Sequence, residues 1–337
     1  MSVDLSKSLV IGISSRALFD LEEANRVFEE KGEDAYAAYQ ESKENEVLKP
    51  GIGFRLVQAI HGLNQRSRGS RKAEVVIASR NSPATSIRLF NSIAHHKLDI
   101  RRAILTSGTP VTRYLKPFCV DLYLSAYEND VEDAIRAGIA AAVIYQANPM
   151  AAMQAMLEKT EMKRTPSDDS TVPPVDPCEE LRIAFDGDNV LFSGEAQDVY
   201  DKDGLDKFLE HEVKNASRPL ADGPFAKFLR TLAVLQKDPN FEKPPVRTAL
   251  VTARNLPANL RVLNTFRAWR IQVDEAFFMG GVSKVGILAA FQPHIYFDDQ
   301  EAYCKSAADV VSTAKVPTPI LEPSPHSQPK EHKVEVS

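Results

Sequence analysis

The chain is poor in cysteine, in tryptophan and in long apolar runs. Its three cysteines, Cys119, Cys178 and Cys304, stand far apart in 337 residues. They match no metal-ligand spacing, and their odd number does not build a disulfide framework. A reducing, cytoplasmic compartment is the expectation. No apolar stretch approaches the roughly 20 residues that span a bilayer. Residues Met1 to Lys7 lack the basic-then-apolar order of a signal peptide, so no membrane partner is expected. A strong excess of one charge is missing too. The net charge of −5 gives no pull toward a nucleic acid polymer or an anionic membrane. What the chain does have is a 43% apolar fraction, ample for two domains or one large one.

Short apolar runs mark strands. Residues 8–13, Val75 to Ala78, Ala103 to Leu105, Leu122 to Leu124 and Ala140 to Tyr145 read as strands in the first half. Helical spacing is expected over residues 21–46, over Phe54, Val57, Ile60 and Leu63, from Pro83 to His96 with Ile87, Phe90, Asn91 and Ala94 on one side, and from Val131 to Ala137. Arg66 to Lys72 reads as a solvated basic loop. Residues 149–162 read as one more helix, followed by a proline-rich linker at 165–177. The tail from residue 318 has little to bury and is expected to be flexible.

The second half repeats the first at a shift of about 173 residues. Ala17-Leu18-Phe19 falls on Val190-Leu191-Phe192, Arg88 and Asn91 on Arg261 and Asn264, and Leu122 to Leu124 on Ile295 to Phe297. Arg80-Asn81-Ser82-Pro83-Ala84 matches Arg254-Asn255-Leu256-Pro257-Ala258 with a one-residue slip. The pattern predicts two fused α/β units from an internal duplication. The copies differ in charge: Asp186 and Asp188 fall opposite Ile13 and Ser15, Lys284 opposite Val111, and Asp298-Asp299 opposite Ser125-Ala126. If both copies share a fold, the first is catalytically degenerate.

Four groups in the second copy sit where strands end, and in open α/β sheets ligands bind at the carboxyl ends of strands. Ile183-Ala184-Phe185 runs into Asp186-Gly187-Asp188. Such a sequence also makes an ordinary Asp-Gly turn, but two aspartates one residue apart repel unless something such as a divalent cation offsets them. Leu250-Val251 ends in Thr252-Ala253, a hydroxyl that either bonds a phosphate oxygen or caps a helix. Gly280-Gly281 precedes Lys284, and Ile295-Tyr296-Phe297 ends in Asp298-Asp299.

In this order the groups resemble the motifs of the haloacid dehalogenase-like (HAD) phosphatase superfamily. Residues 14–19, 184–192, 251–254 and 293–300 are similar to the cytosolic 5′-nucleotidase type I family, over roughly residues 8–317. The resemblance implies two Rossmann-like HAD-type units. The first, residues 1–148, is degenerate; the helix and linker occupy 149–180; the catalytic unit is 181–317, with a small helical cap inserted at 193–245; and 318–337 is the tail. It implies Asp186 as nucleophile and Asp188 as general acid/base. Thr252, Ala253 and Lys284 would hold phosphate. Mg²⁺ would be held by Asp186, the Asp188 backbone carbonyl and one of the acidic pair, Asp299 preferred over Asp298.

The implied activity is hydrolysis of a small-molecule nucleoside 5′-monophosphate, AMP-type, through an aspartyl-phosphate. Two alternatives stay open: a HAD-type phosphatase of sugar phosphates or other small phosphomonoesters, and a nucleotide-binding protein without turnover. Phe208, His211 and Arg218 in the cap are candidate substrate contacts. A homo-oligomer is left open.

Overall fold

A computed structural model describes residues 4–69, 71–145 and 180–318. The helix expected at 149–162, the linker at 165–177 and the tail beyond residue 318 lie outside the described residues. Ten strands form one sheet: β1 (Leu9–Ile13), β2 (Ala73–Ser79), β3 (Arg102–Leu105), β4 (Leu122–Ser125), β5 (Ala140–Tyr145), β6 (Leu181–Phe185), β7 (Val246–Thr252), β8 (Glu275–Phe278), β9 (Ile295–Asp298) and β10 (Thr313–Lys315). Their order is β3-β2-β1-β4-β5-β10-β9-β6-β7-β8. Every neighbouring pair is parallel except β5 and β10, which join the two halves antiparallel.

The helices are α1 (Ser15–Leu18), α2 (Glu22–Ser42), α3 (Phe54–Arg66), α4 (Ile87–His95), α5 (Thr112–Leu115), α6 (Glu128–Arg136), α7 (Glu195–Lys214), α8 (Ala226–Gln236), α9 (Asn259–Trp269), α10 (Val285–Phe291) and α11 (Glu301–Ala308). They cover both faces of the sheet, which is why the central strands are apolar without alternation. One core runs through both halves on one face, from Ile11 and Ile77 to Phe185 and Leu250. The other face carries separate cores, around Val76 and Tyr123 in the first half and around Val251 and Tyr296 in the second. Among the described residues no helix is long and apolar enough to cross a membrane.

Two strands escaped the sequence reading. β8, half-exposed at the sheet's edge, carries the short apolar run Ala276-Phe277-Phe278 that the reading passed over, and β10 is only Thr313-Ala314-Lys315. On α4 the side formed by Ile87, Phe90, Asn91 and Ala94 is the exposed one; Arg88, Leu89, Ser92 and Ile93 face inward. The basic loop is tied to the other half, with Arg68 Nη2 2.8 Å from Glu242 and Lys72 Nζ 2.7 Å from Asp238.

The first half is ordered β3-β2-β1-β4-β5 and the second β8-β7-β6-β9-β10, element for element the same arrangement. Side-chain bonds recur with it. Arg88 Nε donates to Glu46 O and Arg261 Nε to Arg218 O. Asn91 donates to Glu44 O and Asn264 to Ala216 O. The strand register corrects the sequence alignment at one place. The Ser14 amide donates to Leu124 O as the Asp186 amide does to Phe297 O, so Ser14 and Arg16, not Ile13 and Ser15, stand where Asp186 and Asp188 do. The second half has one more residue in this turn, where Asn189 adopts a left-handed φ of 59°.

Candidate active site

The site lies at the carboxyl ends of β6, β7 and β9. Beneath it Phe185, Phe225 and Phe297 pack together, with the Phe225 and Phe297 rings 4.7 Å apart and those of Phe185 and Phe297 5.7 Å apart. These fully buried rings fix the two strands that end in Asp186 and Asp298. Truncating such a phenylalanine costs about 3–5 kcal/mol. Gly187 follows Asp186 because a Cβ there would stand 3.2 Å from Thr252 Oγ1.

Lys284, at the N-cap of α10, is buried and reaches Asp186 Oδ1 and Asp298 Oδ2, both at 2.7 Å, and the Tyr296 hydroxyl at 3.0 Å. Tyr296 also donates to Asp298, whose other oxygen accepts from the Gln300 amide at 2.9 Å. Asp298 is therefore held by the protein on both oxygens. Asp299 is held on one only: Asn189 donates to Oδ2 at 3.0 Å, and the buried Oδ1 has no partner.

Burial pushes the Asp186 carboxyl up to about 8; Lys284 pulls the other way, and Asp298 and Asp299 add to the rise. Burial and then Asp298 push Asp299 up to about 6. Burial works against the Lys284 ammonium, but Asp186 and Asp298 more than offset it and raise it above its ordinary value. Carboxylate oxygens of Asp186, Asp298 and Asp299 lie within 4.8 Å of one another. An all-oxygen, carboxylate donor set with one unpartnered buried oxygen fits a hard divalent cation such as Mg²⁺.

Arg254 holds Asp188 with two bonds, Nε to Oδ2 at 2.8 Å and Nη2 to Oδ1 at 2.7 Å. Its remaining nitrogen pairs with Glu212 of α7, which also accepts from Arg261 Nη1 at 2.7 Å. Arg254, Glu212 and Arg261 form a buried chain that ties α7 to α9 and to the site. Thr252 Oγ1 accepts from the Arg254 amide at 3.3 Å; α9 starts only at Asn259, so Thr252 turns the chain rather than capping that helix.

A cleft of about 340 Å³ opens over these groups, lined by Asp188, Tyr200, Phe208, Ala253, Arg254 and Tyr303 among others. Phe208 is thus brought to the site, beneath the Arg254 guanidinium and edge-on to Tyr200. His211 and Arg218 do not line it. His211 points at Glu212, with Nδ1 3.3 Å from Oε1, and Arg218 is exposed, contributing its carbonyl to Arg261. The sequence reading missed Glu212, Tyr296, Tyr200 and Asn189. Its signals for the buried chain were the recurrence of Arg80 as Arg254 and of Arg88 as Arg261.

The fold and the site define an α/β protein whose second half gathers carboxylates, a lysine and a hydroxyl at strand ends beside one cleft, with an acidic group that could hold a metal ion. A sequence model of the family described as 5′-nucleotidase matches residues 1–323. Human cytosolic 5′-nucleotidase 1B is 36% identical over 318 residues, covering 91% of this chain and 48% of the relative. The chain belongs to the 5′-nucleotidase family, and it spans about half the length of the curated relative it matches.

Proposed function

We propose that the chain is a Mg²⁺-dependent 5′-nucleotidase that hydrolyses nucleoside 5′-monophosphates of the AMP type. The observation that carries this reading is the meeting of Asp186 with Lys284, Asp298 and the half-satisfied Asp299 in a chain of this family. Asp186 and Asp299, with the Asp188 carbonyl, would hold the cation, while Asp298 orients Lys284. Bound there, Mg²⁺ offsets the repulsion between Asp186 and the phosphate dianion.

Asp186 attacks phosphorus, and the bond to the 5′-oxygen breaks as the aspartyl-phosphate forms. Asp188 gives its proton to the leaving 5′-oxygen, then takes one from the water that releases phosphate and restores Asp186. Lys284, Thr252 and the Ala253 amide stabilise charge on the phosphoryl oxygens. Arg254 donates to both Asp188 oxygens, so it positions this carboxyl rather than reacting. Residues 193–245, with α7 and α8, act as the cap, and Tyr200 and Phe208 present aromatic surface to the nucleoside. The human relative's name supports a cytosolic location for this chain as well.

The two halves descend from one duplicated unit; the matching strand orders and recurring arginine and asparagine bonds support this. The first half keeps the scaffold and lacks the HAD-type chemistry.

The test is phosphate release from a panel of nucleoside monophosphates and sugar phosphates, with Mg²⁺ and with EDTA. Mg²⁺-dependent release favouring nucleotides is expected. Sugar phosphates outrunning every nucleotide would replace the substrate class, and AMP binding without release would replace the reaction.

A further inference from the structure

The first half has a hollow of its own in the same place. It measures about 200 Å³ and opens at the carboxyl ends of β1, β2 and β4, lined by Arg16, Phe28, Tyr36, Arg80, Asn81 and Tyr127 among others. Its wall copies that of the catalytic cleft. α2 breaks at Gly32 (φ 81°, ψ −173°) as α7 breaks at Gly204 (φ 80°, ψ −178°). Phe28 and Tyr36 flank the first break, with ring centroids 5.9 Å apart at 84°; Tyr200 and Phe208 flank the second, 6.0 Å apart at 87°.

The floor is chemically different. Ser14 and Arg16 replace the two aspartates, Ser125 and Ala126 replace the acidic pair, and Val111 replaces the lysine. The groups that would attack a phosphate or hold a cation are gone, and a guanidinium stands in place of the general acid. Arg16 and Arg80 sit on the Tyr127 ring, 5.4 and 5.7 Å from its centroid. Neither arginine is used up by its carboxylate partner. Glu22 takes Nη2 of Arg16 at 2.9 Å, while the buried Nε has no hydrogen-bond partner. Asp130 takes Nε and Nη2 of Arg80, leaving Nη1 outside that pair. A guanidinium offers five donors in a fork that suits phosphate without a metal. Phe28 is 46% exposed at the rim, an open face for a base to stack on.

We propose that this hollow is a second, non-hydrolytic site for a nucleoside 5′-monophosphate, its phosphate on Arg16 and Arg80 and its base against Phe28. The choice of ligand rests on the nucleotide reading of the catalytic cleft; the site itself rests on the hollow and its arginines.

The experiment is equilibrium binding of AMP to the full chain carrying Asp186→Asn, with Mg²⁺, in four forms: as such, with Phe28→Ala, with Arg16→Gln, and with Tyr200→Ala. Phe28 and Tyr200 are equally exposed, so neither truncation threatens folding. Two equivalents per chain are expected. Phe28→Ala should weaken one of them about tenfold or more and Tyr200→Ala the other. Arg16→Gln should act as Phe28→Ala does. A single equivalent moved only by Tyr200→Ala would overturn the proposal and leave the catalytic reading standing. A single equivalent moved only by Phe28→Ala and Arg16→Gln would uphold the proposal and count against the catalytic cleft as a nucleotide site. No binding at all would overturn both. Inorganic phosphate occupying the Arg16 site as tightly as AMP would reduce it to an anion hollow and overturn the nucleotide assignment.

Discussion

Arg254 grips both oxygens of Asp188, at 2.8 and 2.7 Å, from a buried position where its third nitrogen is already committed to Glu212. The Asp188 side chain, proposed above for proton transfer, is thus set by α7 through one intermediary. α7 carries Glu212, and α7 also carries Tyr200 and Phe208 on the cleft wall. A change in how α7 seats against the cleft would be felt at Asp188.

Arg254→Lys keeps the charge and loses the fork. Release from AMP should fall roughly 10²-fold, toward the lower end of what a positioned general acid supplies. p-Nitrophenyl phosphate, whose leaving group needs no proton, should suffer less in the first chemical step and show a burst of nitrophenol. Equal losses on both substrates would mean that Arg254 acts only on folding or on phosphate binding.

Glu212→Ala removes the buried carboxylate shared by two guanidiniums, that of Arg254, which keeps Asp188, and that of Arg261. Breaking a buried pair on one side costs about 3–5 kcal/mol. The urea midpoint should drop accordingly, and Glu212→Gln should drop less. An unchanged midpoint for Glu212→Ala would show that the chain carries no net stability.

Asp299→Ala and Asp298→Ala should separate. Asp299 has the unpartnered oxygen, so its loss should raise the Mg²⁺ concentration needed for half-maximal phosphate release while the metal-free melting point stays near that of the parent. Asp298 anchors Lys284, Tyr296 and the Gln300 amide, so its loss should lower the melting point with or without Mg²⁺. The reverse pattern would exchange their roles.

Stability should depend on pH in a metal-sensitive way. Asp186 and Asp299 are raised in the folded chain to about 8 and about 6, from an ordinary 3.8. A carboxyl raised on folding holds its proton more tightly folded than unfolded. Its contribution is full below its unfolded value and is lost as pH rises through its folded one. In EDTA the urea midpoint should therefore fall between about pH 4 and about pH 8. Mg²⁺ should lift it most at the alkaline end. A flat profile in EDTA would contradict the crowding of carboxylates described here.

Asp186, Asp188, Thr252, Lys284 and Asp298-Asp299 were legible because each follows an apolar strand or a glycine turn, and strand ends are where such a sheet binds ligands. Glu212 was not legible. It lies in the last turn of α7 among other charges, and only the fold brings it to Arg254, 42 residues further on. Tyr296 read as an ordinary strand aromatic; its hydroxyl matters because Lys284 and Asp298 converge on it. The common order of elements in the two halves was legible, and its register missed only in the turn where the extra residue at Asn189 shifts the aspartates by one. β10 was invisible because three residues carry no periodicity, yet it makes the antiparallel seam between the halves.

The most direct test of the account is acid quenching of the full chain turning over AMP labelled in its phosphate, with Mg²⁺, followed by location of the label by peptide mapping. The account predicts hydroxylamine-labile label on the peptide containing Asp186, absent from the Asp186→Asn variant. Label on another residue, or steady turnover by Asp186→Asn at the parent's rate, would contradict it.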